Sequence, residues 1–179
     1  MKILGLLFLT SLFLNKTSKQ RKFYLVNADS KVHFIIKNFG IKANGYFTGI
    51  KGDIEFYPAN LASSFFNITI DANTIDTDNE TRDIHLRASE YFNTNSFPNI
   101  KFVSTKLFLS SILGKYYMYG NITIKGITKP IEFTFDALQK NGGYIFNGEF
   151  KINRIDFGVG TSSTFLSDKL TVSLSVFAK

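Results

Sequence analysis

Residues 71–102 read DANTIDTDNETRDIHLRASEYFNTNSFPNIKF, and this stretch decides how the whole chain is interpreted. It begins as a strand, passes into a charged helix and returns to a strand. The residues on both sides of it alternate between apolar and polar types, which is the pattern of half-buried strands. We therefore predict a short helical insertion, around residues 77–92, in an otherwise β protein.

The predicted helix carries its own start and pairing signals. Thr77 and Glu80 have the spacing of a capping box, which predicts Thr77 as the N-cap. Asp83 and Arg87 are four residues apart, the spacing of an ion pair on a helix surface. The sequence therefore predicts a helix that is capped at Thr77 and joined by a pair between Asp83 and Arg87.

Alternation with a period of two runs through most of the chain after Phe23 and predicts strands with one apolar face. A tight hairpin is predicted at Asn141-Gly142-Gly143. A second connection is predicted at residues 126–130, with Pro130 at the start of a strand, where a missing N–H does no harm. The predicted apolar faces include Val32, Phe34 and Ile36; Phe66, Ile68 and Ile70; Ile131, Phe133 and Phe135; Tyr144, Phe146, Phe150 and Ile152; and Leu170, Val172, Leu174 and Val176.

The architecture that buries these faces is left open by periodicity alone. Antiparallel strands with one apolar face can form a sandwich or a closed barrel. Nothing in the composition marks a second domain, and 179 residues suffice for one domain with a substantial core. The sequence by itself thus predicts a single all-β domain of one of these two types.

Four motifs resemble a known family. They are residues 75–87 of the quoted stretch, Phe-Pro-Asn-Ile-Lys-Phe at 97–102, Gly-Ile-Thr-Lys-Pro at 126–130 and Ile-Asn-Arg-Ile-Asp-Phe-Gly at 152–158. In type and order they closely resemble the signature of the YceI-like family, over roughly residue 32 to the C-terminus.

The resemblance implies an extended antiparallel β-barrel of lipocalin type with about eight strands. It also implies a long apolar ligand, such as a polyisoprenoid, an isoprenoid quinone or another long-chain lipid with a fatty acyl tail. Export to the periplasm or secretion is implied as well, and a homodimer is compatible with it. No cofactor is expected.

The N-terminus favours export on independent grounds. Lys2 is followed by about a dozen apolar residues, which is typical of a secretory signal peptide. We predict a leader over residues 1–20 and a barrel domain over residues 21–179. The net charge is +7, and lysines and an arginine cluster after the apolar run. That cluster is interpreted either as a solvated leader or as a peripheral contact with anionic lipids. No nucleic acid partner is expected.

Polar chemistry concentrates at few positions. Arg82 and His85 share a helix face and are interpreted either as a headgroup site at the barrel mouth or as a structural network. Catalysis by His85 on a lipid substrate is an alternative, although no serine elbow or cysteine accompanies it. No metal site is predicted, because the chain has two histidines and no cysteine and residues 76–87 lack the glycine of a calcium loop.

Arg154 and Asp156 are predicted to form an ion pair at a strand end, with contact to a ligand headgroup as the alternative. The interior is predicted either as an apolar tunnel, which would hold a lipid for carriage, storage or stress response, or as a filled core. A filled barrel would act as an interaction or stress-response module. No catalytic residue is predicted. The predicted ligand-binding residues are Phe34, Ile36, Ile68, Ile70, Arg82, His85, Phe102, Phe133, Phe135, Phe146 and Arg154.

Overall fold

Ten strands, one α-helix and four short 3-10 helices make up the computed structural model, which describes residues 22–179. No helix within these residues has the length and apolar character needed to cross a membrane. The predicted leader lies outside the described residues. The elements are β1 (Lys22–Tyr24), β2 (Lys31–Asn38), β3 (Ile41–Phe47), β4 (Ile50–Glu55), β5 (Phe65–Asp71), α1 (Glu80–Arg87), β6 (Asn99–Leu109), β7 (Tyr116–Ile124), β8 (Ile127–Lys140), β9 (Gly143–Asn153) and β10 (Leu166–Ala178).

The strands form one antiparallel sheet in the order β1-β4-β5-β6-β7-β8-β9-β10-β2-β3. The sheet curls so that its first strand returns to β10: Tyr24 and Lys179 exchange backbone hydrogen bonds of 3.0 and 2.9 Å. Near the other edge, Tyr46 of β3 and Asp76 exchange bonds of 2.7 and 3.0 Å. The all-β antiparallel barrel with a helical insertion is therefore confirmed.

The number of strands is ten rather than about eight. β1 has only three residues, too few for a period to be recognised. The prediction that Pro130 starts a strand is also wrong. β8 begins at Ile127, and Pro130 lies inside it. Pro130 is tolerated because β9 pairs with β8 only from Phe135 onward, so one side of β8 is an edge at Pro130.

One end of the barrel is closed by aromatic rings. Phe56, which directly follows β4, is 2% exposed and contacts the rings of five other residues at centroid distances of 5.1 to 6.3 Å. All five contacts are edge-to-face, a geometry that adds to the burial energy of aromatic pairs. The rings around Phe56 belong to Phe66, Tyr116, Phe135, Tyr144 and Phe146. We call this set, with Phe56, the aromatic plug.

A second core lies at the opposite end, beneath the helical insertion. Its buried members include Phe47, Ile75 and Ile100, and Leu86 of α1 packs against them. The Phe47 and Phe92 rings meet edge-to-face at 5.6 Å. The insertion is therefore packed on the barrel rather than projecting from it.

Two predictions about the helix are wrong. α1 begins at Glu80, and its N-cap is Asn79, whose side-chain oxygen accepts from the backbone N–H of Arg82. Thr77 is buried and bonded elsewhere. Asp83 and Arg87 do not pair: Arg87 donates to the carbonyl oxygens of Asn73 and Ile75, while Asp83 points into the protein. In the folded protein, Thr77, Asp83 and Arg87 make contacts other than the local ones that the sequence predicted.

Candidate functional site

An apolar cavity of about 760 Å³ occupies the barrel between the aromatic plug and α1. Its volume is within the range of sites that enclose a small or medium-sized ligand. Aliphatic and aromatic side chains form most of the wall. Every predicted ligand-binding residue lines this cavity: Phe34, Ile36, Ile68, Ile70, Arg82, His85, Phe102, Phe133, Phe135, Phe146 and Arg154. Their contact with a ligand remains a prediction.

The strand residues reach the cavity because every second side chain of a strand points inward. Phe34, Ile36 and Ile70 are inward-facing yet only half-buried, which is the exposure of a side chain that borders a cavity. Phe135 and Phe146, by contrast, are fully covered because they also belong to the aromatic plug. The barrel is thus packed at one end and hollow toward the other.

Glycines on neighbouring strands help to keep the cavity wide. A β-carbon at Gly45 would overlap the ring of Phe34, and one at Gly120 would overlap the ring of Phe102. Each ring therefore lies over the backbone of a glycine instead of standing upright in the barrel. Strand glycines of this kind mark places where another group approaches the backbone closely.

Three segments surround the cavity at the end away from the plug, which we call the mouth. They are α1 with its N-cap, the turn between β2 and β3, and the loop that precedes β10. Asn79, His85, Phe39 and Phe165 from these segments all line the cavity. Polar groups are concentrated at this end, so a ligand with a polar head would be oriented with its head at the mouth.

Arg82 makes hydrogen bonds within the protein, and its side chain also borders the cavity. Its Nε–H donates to Thr77 Oγ1 at 2.8 Å, and its Nη2 donates to the Thr77 carbonyl oxygen at 2.6 Å. The Thr77 hydroxyl and backbone N–H in turn donate to Asp83 Oδ1 at 2.5 and 3.1 Å. This network fastens α1 to the residues before it. The Arg82 side chain still lines the cavity and is exposed.

His85 differs from Arg82 because its ring makes no hydrogen bond within residues 22–179. The ring lines the cavity and is exposed, and it lies one turn along α1 from Arg82. A group with both donor and acceptor capacity at the mouth can bind the polar head of a ligand. The His85 ring is therefore available to contact such a head.

Arg154 lines the cavity, but its guanidinium forms hydrogen bonds with other groups of the protein. The side chain is buried, and its guanidinium donates to the carbonyl oxygens of Val159 at 2.9 Å and Thr161 at 2.8 Å. It forms an ion pair of 3.1 Å with Asp168. The predicted pair with Asp156 is wrong, because Asp156 is exposed and the loop before β10 brings Asp168 to the arginine instead. Arg154 holds that loop at the mouth.

We expect variants of Asp83 and His85 to separate structure from recognition. Asp83→Ala removes the acceptor of two buried donors and should lower the free energy of unfolding by about 1–3 kcal/mol. Amide hydrogen-exchange protection across residues 77–89 should fall with it. His85→Ala should leave that protection unchanged. Reduced protection in His85→Ala, or wild-type protection in Asp83→Ala, would contradict this division of roles.

Several cavity residues were not predicted from the sequence. Phe39 and Phe165 lie in turns, and Tyr91 and Phe92 follow α1, where no strand period exists to indicate an inward face. The sequence indicates a role for these residues only through their apolar character in otherwise polar segments. Met118 also lines the cavity, and the alternation of β7 could have revealed it.

Comparison with known proteins agrees with this architecture. The model of the YceI-like domain matches residues 23–178. A UPF0312 protein of Photorhabdus laumondii is 33% identical over 159 residues, which cover 82% of this chain and 81% of that protein. The crystal structure of Burkholderia cenocepacia BcnA is similar with a TM-score of 0.82 at 24% identity, covering 87% of this chain and 99% of that chain. A polyisoprenoid binding domain from Saccharophagus degradans is similar with a TM-score of 0.71 at 13% identity, covering 90% of this chain and 99% of that chain. The chain therefore belongs to the YceI-like family.

Proposed function

We propose that this protein is a lipid-binding carrier that holds the apolar tail of a polyisoprenoid, an isoprenoid quinone or another long-chain lipid inside the barrel. The observation that carries the proposal is the cavity of about 760 Å³ with an apolar wall and polar groups at one end only. Removal of a tail from water would contribute roughly 25 cal/mol per Å² of apolar surface buried. The binding of a polyisoprenoid by the similarly folded Saccharophagus degradans domain supports this ligand class.

The orientation of the ligand follows from the two ends of the barrel. The aromatic plug closes one end, so a tail would enter past α1 and stop against Phe66, Phe135 and Phe146. The head would remain near Arg82 and His85. Binding and release in this arrangement need no bond to be made or broken. We therefore propose carriage or storage rather than catalysis, in the periplasm or outside the cell.

The direct test is to identify what the protein binds. We expect that lipids extracted from the purified protein and measured by mass spectrometry include a prenyl or acyl chain. The delipidated protein should then take up prenyl alcohols, quinones or fatty acids saturably, at about one ligand per chain. If delipidated protein shows no saturable uptake from this panel, the proposed function is wrong.

A further inference from the structure

We propose that the turn between β2 and β3, together with Phe165, docks on the surface of an anionic phospholipid bilayer. We call Phe39, Ile41 and Phe165 the apolar tip. The inference rests on the proposed function, because a carrier of lipid must exchange its ligand with a membrane. The inference identifies the surface of the protein that contacts the membrane, and it identifies an anionic membrane as the preferred one.

The apolar tip is exposed and is continuous with the cavity. Phe39 is 67% exposed, Ile41 74% and Phe165 57%. The rings of Phe39 and Phe165 stack with their centroids 4.5 Å apart, and the Phe39 N–H donates to the Phe165 carbonyl oxygen at 2.8 Å. Both rings also line the mouth. An apolar surface therefore runs from the inside of the barrel to its outer rim.

The backbone at Phe39 has a conformation that a phenylalanine side chain disfavours. Phe39 has φ of 51°, a left-handed conformation that is unfavourable for a bulky side chain. Two other hairpins of this chain use the same turn, with Lys125 at 50° and Asn141 at 49°, each followed by a glycine. Those turns carry a polar residue where this one carries phenylalanine. An exposed aromatic ring on a strained backbone indicates a functional constraint, and contact with an apolar medium supplies one.

Positive charge accompanies the apolar tip. Lys37 and Lys42 lie directly opposite each other on β2 and β3, and both are exposed. Neither forms an ion pair with any part of the chain that the structure describes. Like charges at such positions destabilise a sheet. Exposed Lys169 is on β10, the next strand to β2, and its neighbour Asp168 is already paired with Arg154. Anionic headgroups would complement these lysines.

The charge pattern favours a bilayer over a second copy of the chain. A twofold contact places the same patch against itself. Lys37 and Lys42 would then approach their own counterparts, and burial of the apolar tip would be opposed by repulsion. A bilayer receives the apolar side chains among its acyl chains and places its phosphate groups beside the lysines.

The orientation can be measured with fluorophores, because the chain has no cysteine. Ile41→Cys labels the apolar tip, and Leu113→Cys labels the fully exposed turn between β6 and β7 at the plug end. Full-length protein carries an environment-sensitive fluorophore at either site and is mixed with phosphatidylglycerol–phosphatidylcholine vesicles. We expect a blue shift, and quenching by lipid-borne quenchers, at position 41 only. An unresponsive position 41 overturns the proposal, as does an equal response at position 113. A blue shift that depends on protein concentration without vesicles would identify a second copy as the partner.

Variants then test the apolar component and the electrostatic component of the membrane contact. Phe39→Asn installs a residue that this turn prefers, so the fold should survive, and vesicle affinity should fall by about tenfold. Lys37→Gln and Lys42→Gln should each weaken binding about fivefold on anionic vesicles, with little change on phosphatidylcholine alone. All variants keep the same N-terminal residues, so any contribution of that segment to binding cancels.

The docking proposal and the carrier proposal can fail separately. Uptake of a prenyl lipid dispersed without vesicles should be the same in wild type and in Ile41→Asn, because Ile41 is 74% exposed and does not line the cavity. Transfer from anionic vesicles should be several-fold slower in this variant. If transfer is equally fast in both, docking through the apolar tip is wrong and the carrier function stands. If wild type takes up no dispersed lipid, the carrier function itself is wrong.

Discussion

Ile70→Asp is expected to abolish uptake of an apolar ligand while leaving the barrel folded. Ile70 lies on β5 between Ile50 and Ile100 and faces the cavity, where it is half-buried. A carboxylate there can be hydrated from the cavity in the free protein, but a bound tail would strip its water. Leaving a charge without a partner costs about 3 kcal/mol or more, which corresponds to at least a hundredfold loss of affinity. Binding titrations with a prenyl alcohol measure the loss, and circular dichroism checks the fold.

The neighbouring residue provides a matched control. Thr69 pairs with Lys51 and Lys101 on the outer face of the same strands and does not border the cavity. Thr69→Asp introduces the same carboxylate one position away, between two lysines, where it should be tolerated. We expect wild-type affinity in this variant. If Ile70→Asp binds the lipid as tightly as Thr69→Asp does, the ligand does not occupy this cavity.

Phe56→Ala is expected to have the largest effect on stability. Its ring is at the centre of the aromatic plug and is almost completely buried. Truncation of a buried phenylalanine costs about 3–5 kcal/mol, because both burial and ring contacts are lost and a cavity remains. The ring also lines a cleft bounded by Phe23 and Tyr144, and it contacts Phe66, Phe135 and Phe146, which line the cavity. Denaturant unfolding should show the loss as a lower midpoint.

The control for this variant is a phenylalanine on the outer face. Phe65 begins β5, pairs with Glu55 and is exposed. Phe65→Ala should lower the free energy of unfolding by less than about 1 kcal/mol, as expected for a surface change. Phe56→Leu should fall between wild type and alanine. Equal losses for Phe56→Ala and Phe65→Ala would mean that the aromatic plug is not a unit of stability.

Prediction from the sequence succeeded where the deciding interaction is local. The inward positions of Phe34, Ile68 and Phe133 follow from the two-residue period of a strand, which is set by backbone geometry alone. The prediction failed where several local choices were chemically equal. Thr77 and Asn79 can both cap a helix, and the choice of Asn79 depends on Thr77 being buried against Asp83 and Arg82.

Contacts between residues that are distant in sequence could not be predicted from local patterns. Arg154 was predicted beside Asp156, two residues away, yet it pairs with Asp168, fourteen residues away, because the intervening loop folds back over it. The apolar tip was missed for a related reason. Phe39 and Phe165 are far apart in sequence and meet only because β2 and β10 are neighbours in the barrel.

The sequence by itself determined that this chain is an all-β protein with a helical insertion and which strand faces are apolar, and the resemblance of its motifs to the YceI-like family added the barrel. Those properties depend on side-chain alternation and on motifs that each lie within one short segment. Only the tertiary structure decided that the barrel is packed at one end and hollow at the other. Five rings from four separate strands meet Phe56 at the closed end, whereas Gly45 and Gly120 let the rings of Phe34 and Phe102 lie against the wall. Whether apolar faces fill a barrel or enclose a cavity depends on how side chains from many strands share one volume, and no single strand contains that information.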